Sequence, residues 1–596
     1  MLDKPCRLLC LAFAVAVSAW SSKASVVLDD FNDAASSQRW TFWSGGEFPG
    51  ATGSFRVISV DGNSCGRLQY DLNAGGEYVS AQREISPTLN VKGAVITLRV
   101  KQEPGVLLFL RVRDQSGQTL QYNAPRSIES TDPGRWSWTT VALESASEYW
   151  GGANTGVVNG AVNRITVGIR PIKFVDWGGK PVKSTKTGAV CIDQILLVGN
   201  SEPVTLTGTE RAIAPTAGIP TLDSLGIAIH FADDLVKLQA AVQAGAKVVR
   251  TDLFWAWAES AKGQYNFAPW DKLVSSSTSR GLKVVLILAY GNRLYTAGSD
   301  KPPMTAEAIR AFGDFAEATA RHFAGTGVAY EIWNEPDSQH FWSPVDPNAY
   351  AALLKVVVPR IARGDPAARV YSGGLAQANF PYLAALLETG VLDQVSSIGV
   401  HPYDRTAPEL QIDGLVYLQH LLNRRPTAPQ SLSITECGTS SAWFGTGNDP
   451  EARRKQGNLV MRQVLVHLGA GRPLDVVYDL LDDGADPANP EQNFGLYESN
   501  LLTKPAAEAM TRFRHLAAGK TTEGFLDIDP RVHALAMKGA NERTFFIWTE
   551  LAQPVIVTIP ATARVDNLYG QPLTIGSSGR ITASGKPLAV SVNIPP

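Results

Sequence analysis

Between residues 219 and 519, short apolar runs alternate eight times with stretches of helical periodicity, and this alternation limits the fold more than any other feature of the chain. The runs fall at 224–231, 247–253, 283–289, 327–333, 369–374, 395–400, 431–435 and 474–480. Between them, Leu235, Leu238, Ala241 and Val242 keep three- and four-residue spacing, as do Tyr350, Leu354, Val357 and Ile361. That spacing puts one apolar face on each helical stretch. Eight such alternations over about 300 residues fit a (β/α)8 barrel, whose usual size is about 250 residues before insertions. A doubly wound sheet is the alternative, but it has less need of eight units.

The flanking segments read differently. Residues 25–200 form short β-like runs broken by turn residues, at 94–100, 106–113, 136–143 and 164–169 among others. Frequent turn signals between short strands predict a β-sandwich. Residues 201–218 are polar with Pro and Gly and read as a linker. From 520 to 596 the chain is β-like again, at 534–538, 544–549, 555–559 and 588–592, and predicts a small antiparallel domain. The expected architecture is therefore multidomain: a (β/α)8 barrel over 219–519 between an N-terminal β-sandwich and a small C-terminal antiparallel β domain.

Charge and targeting narrow the setting. With 54 basic and 56 acidic residues the net charge is −2, without the basic excess of a general nucleic-acid binder. Lys4 and Arg7 precede an apolar stretch at 8–20, and small residues suited to cleavage follow at 17–19 and 22–24. This is the pattern of a secretory signal peptide over 1–24. The stretch is short of the roughly 20 residues a membrane span needs. The expectation is a secreted or periplasmic protein with no membrane contact after signal removal. Cys6 and Cys10 leave with the signal, and Cys65, Cys191 and Cys437 remain. An oxidising compartment permits disulfides. Cys65 and Cys191 lie near opposite ends of the β block and meet if its first and last strands pair, so a bridge between them is expected. Cys437 reads as a buried free thiol. No cysteine has zinc-ligand spacing, and neither a metal nor an organic cofactor is expected.

Two glutamates close apolar runs of the barrel. The fourth run ends Glu331-Ile332-Trp333-Asn334-Glu335-Pro336, and the seventh ends Ser433-Ile434-Thr435-Glu436-Cys437-Gly438. Catalytic groups of a barrel project from the C-terminal ends of its strands. Glycosidic cleavage needs two carboxyls across one bond, one neutral to protonate the leaving oxygen and one ionised. These motifs resemble glycoside hydrolase clan A over the whole barrel, with family 39 the nearest pattern and family 5 next. The β block resembles jelly-roll carbohydrate-binding modules. The clan resemblance implies that Glu335 is the acid/base, Glu436 the nucleophile, and Asn334 a ligand of the sugar hydroxyl beside the anomeric carbon. It further implies that Arg250 lies near the nucleophile and that Tyr403, in His401-Pro402-Tyr403, hydrogen-bonds it.

His230, at the end of the first run, and His401 are candidates to line the sugar site; a satisfied structural group is the alternative for both, as for Arg250 and Tyr403. Trp342 and Trp443 are the preferred sugar platforms among the aromatics beside the strand ends. The eighth run reads Val476-Val477-Tyr478-Asp479-Leu480 without the tryptophan many clan members carry, so Tyr478 is the substitute platform. Glu259 reads as a structural residue of a loop. In the β block, Trp40, Trp43, Trp150 and Trp177 are candidates for stacking on sugars, with burial the alternative for each. The resulting expectation is a retaining glycoside hydrolase of a β-linked polysaccharide, an exopolysaccharide among the candidates. A non-catalytic carbohydrate-binding or matrix protein is the competing reading.

Overall fold

The computed structural model describes residues 25–594, apart from 92–93, 125–133, 135, 145, 177–178, 200–202, 213–217, 219, 232–233, 378, 428, 430, 571–572, 574 and 576–578. The stretch 1–24, read from sequence as a signal peptide, and Trp177 lie outside the described residues.

The N-terminal block is two antiparallel sheets with an apolar core between them. One orders strands Thr52–Val60, Asn63–Asp71, Thr187–Gly199, Ala94–Gln102 and Ser137–Ala142, with Ser25–Asp29 also on Thr187–Gly199. The other orders Glu148–Trp150, Thr119–Ala124, Val106–Asp114, Val162–Pro171, Val79–Leu89 and Thr41–Trp43. Period-two alternation explains the layering, since alternate residues such as Leu108, Leu110 and Val112 point into the core. The first and last strands do pair, Ser25 opposite Val198. The expected disulfide is not formed: Cys65 and Cys191 are free, buried thiols in hydrogen-bond contact with each other. Register explains this. Arg67, not Cys65, stands opposite Cys191, so the two cysteines are diagonal neighbours on adjacent strands. Diagonal Cβ atoms sit roughly 7–8 Å apart or somewhat less, whereas a disulfide needs about 3.5–4.5 Å.

In the barrel region, parallel strands β1 (Leu225–Ala228), β2 (Val248–Phe254), β3 (Lys283–Ala289), β4 (Ala329–Ile332), β5 (Val370–Ser372), β6 (Ile398–His401), β7 (Leu432–Gly438) and β8 (Asp475–Tyr478) form one curled sheet. Their order is β5-β4-β3-β2-β1-β8-β7-β6, with a short strand Leu375–Ala376 beside β6. A parallel bridge between Tyr371 and Ser397 links the two ends. The order is the cyclic one of a (β/α)8 barrel.

The helices α1 (Leu235–Gln243), α2 (Ala268–Thr278), α3 (Ala306–His322), α4 (Pro347–Gly364), α5 (Phe380–Glu388), α6 (Gln411–Asn423), α7 (Pro450–Gly469) and α8 (Pro505–Ala517) each follow one strand. Their starts are written locally. Asp346 and Asp449 cap α4 and α7 by accepting the amides of Asn348 and Glu451, each at 2.8 Å, and a proline opens each helix. Phe312 and Phe315 of α3 are fully buried in the core, which contributes about 1.5–3 kcal/mol each. Inside the ring, Ala228, Val248, Val285, Ala329, Tyr371 and Val476 pack as one layer. Two residues further along β2 and β4, the same inward face presents Arg250 and Glu331.

The C-terminal segment forms a five-stranded antiparallel sheet, in order Thr521–Phe525, His533–Lys538, Glu542–Trp548, Leu588–Asn593 and Arg564–Asn567. A second sheet joins Val555–Thr558 antiparallel to Arg580–Ala583 and parallel to Val204–Thr205. Residues 204–206 of the segment read as a linker are thus part of this body, with Val204 and Leu206 buried in its core. Apolar positions at 204 and 206 alternate with polar ones, a strand pattern that the surrounding Pro and Gly obscure.

Candidate active site

A cavity of about 760 Å³ opens at the C-terminal ends of the barrel strands, and Glu335 and Glu436 both line it. After β4 the backbone turns sharply, with Trp333 and Glu335 at φ 69° and 43°. Side chains other than glycine seldom adopt this left-handed region, at a cost of order 1–3 kcal/mol each. Packing holds the turn. The buried Trp333 ring lies 5.3 Å from Trp342 and 5.4 Å from Tyr290, while Tyr350 donates its hydroxyl to the Ile332 carbonyl at 2.7 Å. The turn brings both Asn334 and Glu335 to the cavity wall.

Arg250 organises the floor. Its guanidinium donates to both oxygens of Glu331 at 2.7 and 3.2 Å, to Asn334 Oδ1 at 3.0 Å and to Glu436 Oε2 at 2.7 Å. Burial opposes its charge, but the Glu331 and Glu436 carboxylates outweigh burial and keep it protonated. Glu331 is fully buried and also accepts the Gly374 amide at 3.0 Å. On Glu436, the other oxygen accepts the Tyr403 hydroxyl at 2.7 Å. Burial alone would raise the Glu436 carboxyl. The charges of His401 and Arg250 and the hydrogen bonds from Tyr403 and Arg250 outweigh it, so Glu436 sits below the ordinary carboxylate range.

His401 is fully buried behind the two glutamates. Its Nδ1 lies 3.0 Å from Glu335 Oε1 and 4.0 Å from Glu436 Oε1, and its Nε2 lies 3.1 Å from Thr435 Oγ1. Burial disfavours its charge, yet Glu436 and Glu335 together push its pKa up. Gly374 makes room for the ring: a Cβ there would fall 2.0 Å from His401 Nε2. One ligand atom each from Glu335, His401 and Glu436 lies within 4.8 Å of the others. That spacing also suits a cation, but the Arg250 guanidinium already supplies positive charge to Glu436 there. His230, Asp479 and Asp483 form a second cluster of the same spacing, in which His230 Nδ1 is 2.8 Å from Asp483. Burial lowers the His230 pKa, but Asp483, Asp479 and Asp252 more than compensate and raise it to about 9.

No protein-family model matches the sequence, and no curated protein does. Solved structures do. A family 39 glycoside hydrolase from the gut symbiont Bacteroides cellulosilyticus WH2 superimposes with TM-score 0.55 at 19% identity, covering 83% of this chain and 96% of its own. A monomeric beta-xylosidase from Caulobacter crescentus CB15 covers 66% of this chain and 99% of its own, with TM-score 0.50 and 15% identity. The family 39 enzyme from Xanthomonas axonopodis pv. citri gives the same score and identity over 66% of this chain and 98% of its own. The fold is that of family 39 glycoside hydrolases.

Within this fold the structure brings together Glu335, Glu436, Asn334, Arg250, His230, Tyr403, Trp443 and Tyr478, all of which line the cavity. Two expectations need correction. Trp342 is not a sugar platform: it is fully buried, edge-on to Trp333 and Tyr350, beneath the turn that carries Glu335. His401 does not line the sugar site, because its ring is sealed behind the carboxylates it contacts. Glu259 is structural, accepting from Trp255 Nε1 at 2.6 Å and Tyr295 at 2.7 Å. Several wall residues were missed. Asp252, two residues beyond Arg250 on the same face of β2, was reachable by period two; burial raises its pKa to about 6, against Arg250 and His230. Tyr290, Phe341, Arg405 and Glu491 come from loops, where spacing gives no direction.

Proposed function

We propose that this protein is an exported retaining glycoside hydrolase that cleaves β-glycosidic bonds of a polysaccharide. The observation that supports this reading is the Glu335–Glu436 pair across one cavity, with a carboxylate oxygen of each within 4.8 Å of the other. Retaining enzymes hold their carboxyl groups about 5–5.5 Å apart, whereas inverting ones need about 6.5–9.5 Å to admit a water. Glu436, held ionised, attacks the anomeric carbon while Glu335 gives its proton to the departing glycosidic oxygen. The sugar is then esterified to Glu436. Glu335, now a carboxylate, takes a proton from water as that water attacks the anomeric carbon and frees Glu436. His401 Nδ1 faces both carboxylates, 3.0 Å from Glu335 and 4.0 Å from Glu436, and is placed to hydrogen-bond the acid/base. Asn334, whose Oδ1 accepts from Arg250, has its amide nitrogen left to donate to a sugar hydroxyl. Trp443 and Tyr478 provide apolar faces for sugar rings.

Two of the structural neighbours are described as beta-xylosidases, which makes β-xylosides and xylans the first substrates to try. The test incubates the wild type and Glu436→Gln with xylans, β-glucans, mannans, galactans and bacterial exopolysaccharides, and reads products by mass spectrometry. Release by the wild type alone supports the reading, and NMR of the first-formed anomer must then show retention. An inverted product sinks the assignment of Glu436 as nucleophile.

A further inference from the structure

A separate cavity of about 320 Å³ lies on the sandwich, and none of its residues lines the barrel cavity. It sits on the outer face of the six-stranded sheet that contains Val106–Asp114. On that strand Leu108, Leu110 and Val112 enter the core, so Phe109, Arg111 and Arg113 face outward. The strand register places Trp43, Ser80, Gly168 and Phe109 in one row across the sheet, and Trp150, Thr119, Arg113 and Arg164 in another. Gly168 matters here: a Cβ would fall 2.0 Å from the Phe109 ring, so its absence lets that ring lie across the sheet as a floor.

Arg111 stands over this floor in an aromatic cage. Its guanidinium carbon is 4.4 Å from the Tyr78 ring centre, 4.7 Å from Phe109 and 5.1 Å from Trp150. Its Nε donates to Gln121 at 2.7 Å and its Nη1 to the Tyr78 hydroxyl at 2.9 Å, which fixes the plane. Its Nη2 has no hydrogen bond among the described residues, and Arg113 has no ion pair there. The Glu47 carboxylate, which also lines the cleft, accepts from the Tyr78 hydroxyl and feels the charge of Arg111, which leaves Arg113 as the cation with no acidic partner among the described residues. Ser80 is only 1% exposed, and its Oγ has no hydrogen-bond partner, although the residue lines the cavity. At the rims, on the two outermost strands of the sheet, Trp43 and Trp150 remain 47% and 44% exposed.

We propose that this cleft binds a glycan chain bearing carboxylated sugars, with Trp43 and Trp150 stacked on ring faces and Arg111 and Arg113 holding the carboxylate. Exposed indole faces suit the apolar faces of pyranose rings, and a fixed guanidinium with free N–H groups matches a carboxylate better than a neutral hydroxyl. The unpartnered Ser80 hydroxyl supplies a donor or acceptor for a sugar hydroxyl.

The test is calorimetry on the full chain carrying Glu436→Gln, so that no probe is cleaved. The probes are oligogalacturonate, oligomeric alginate and the carboxyl-reduced form of each. Binding of a uronate oligomer is expected, with the reduced form weaker by about ten-fold or more, as is usual when a charge-assisted hydrogen bond is lost. Arg113→Gln and Trp150→Ala should each weaken uronate binding to a similar degree. In an otherwise wild-type chain, both should leave turnover of a soluble aryl β-glycoside unchanged. No binding of either uronate, equal affinity for the reduced forms, or indifference to Arg113→Gln overturns the proposal. None of these outcomes bears on the barrel glutamates, which the product analysis tests on its own.

Discussion

Glu436 is tuned by contacts that oppose its burial, and Tyr403 is the one most easily removed alone. On the proposed mechanism Glu436 must be ionised, so activity is expected above its pKa and is lost as pH falls through it. Burial pushes that pKa up, while His401, Arg250 and the 2.7 Å hydrogen bond from Tyr403 pull it down. A hydrogen bond to a charged group contributes about 1.5–3 kcal/mol, and about 1.4 kcal/mol corresponds to one pH unit. Tyr403→Phe should therefore move the acidic limb of kcat/KM upward by about one to two pH units. An unmoved limb would show that Tyr403 does not tune the carboxylate. The two tryptophans singled out by sequence should now part company. Trp342 is wholly buried, so Trp342→Ala should cost about 3–5 kcal/mol of stability in thermal or denaturant unfolding. Trp443 lines the cavity beside Phe494 and beneath Arg405, so Trp443→Ala should mainly raise KM at nearly unchanged melting temperature. Equal melting losses for both would restore Trp342 and Trp443 to one class.

At the scale of elements, the strands were the legible part. Their apolar runs are short, their inward faces alternate, and Glu335 and Glu436 sit where runs four and seven stop. Period two carries Arg250 to the same inner face as Val248, so its place was readable without coordinates. What loops do was not readable. Trp342 follows Trp333 by nine positions through a turn with two left-handed residues, and no periodicity says that its ring folds back underneath. The strand at Val204–Thr205 was hidden for a related reason: its partner, Val555–Thr558, lies some 350 residues later. Long-range pairing also explains how the C-terminal body is fastened to α7. Arg462 of that helix and Glu409 form a buried ion pair at 2.5 Å, and Trp548 of the C-terminal sheet donates to the same Glu409 at 2.7 Å. Removing one member of a buried pair strands the other charge, at about 3–5 kcal/mol. Arg462→Met should lower stability by that much in denaturant unfolding. Adding Glu409→Gln, which keeps an acceptor for Trp548, should recover most of the loss. Failure of the second change to restore stability would mean that the arginine acts through packing instead of charge.

For the whole molecule, the question is why a sandwich with a core of its own should keep a fixed arrangement against a barrel and a C-terminal body that share one. The described contacts that tie the sandwich to its neighbours are specific. Phe174 of the sandwich meets Phe380 of α5 edge-on at 4.4 Å, and Tyr417 of α6 donates its hydroxyl to the Ser184 carbonyl at 2.7 Å. Arg531 of the C-terminal body donates to the Gly199 carbonyl at 3.1 Å, at the end of the last sandwich strand. The sandwich is thereby tied to both neighbours. Interfaces within a chain otherwise allow relative motion by default, so these ties should be measurable. Phe174 is only partly buried, and its truncation removes an aromatic pair worth about 0.5–1.5 kcal/mol beyond the apolar area lost. Phe174→Ala combined with Tyr417→Phe should therefore leave the barrel core and aryl β-glycoside turnover intact while releasing the sandwich. Calorimetry should show the sandwich melting at lower temperature than in the wild type, and small-angle scattering should show a larger radius of gyration. If the double variant matches the wild type in both measurements, the ties through Phe174 and Tyr417 do not hold the sandwich, and the Arg531 contact becomes the one to remove.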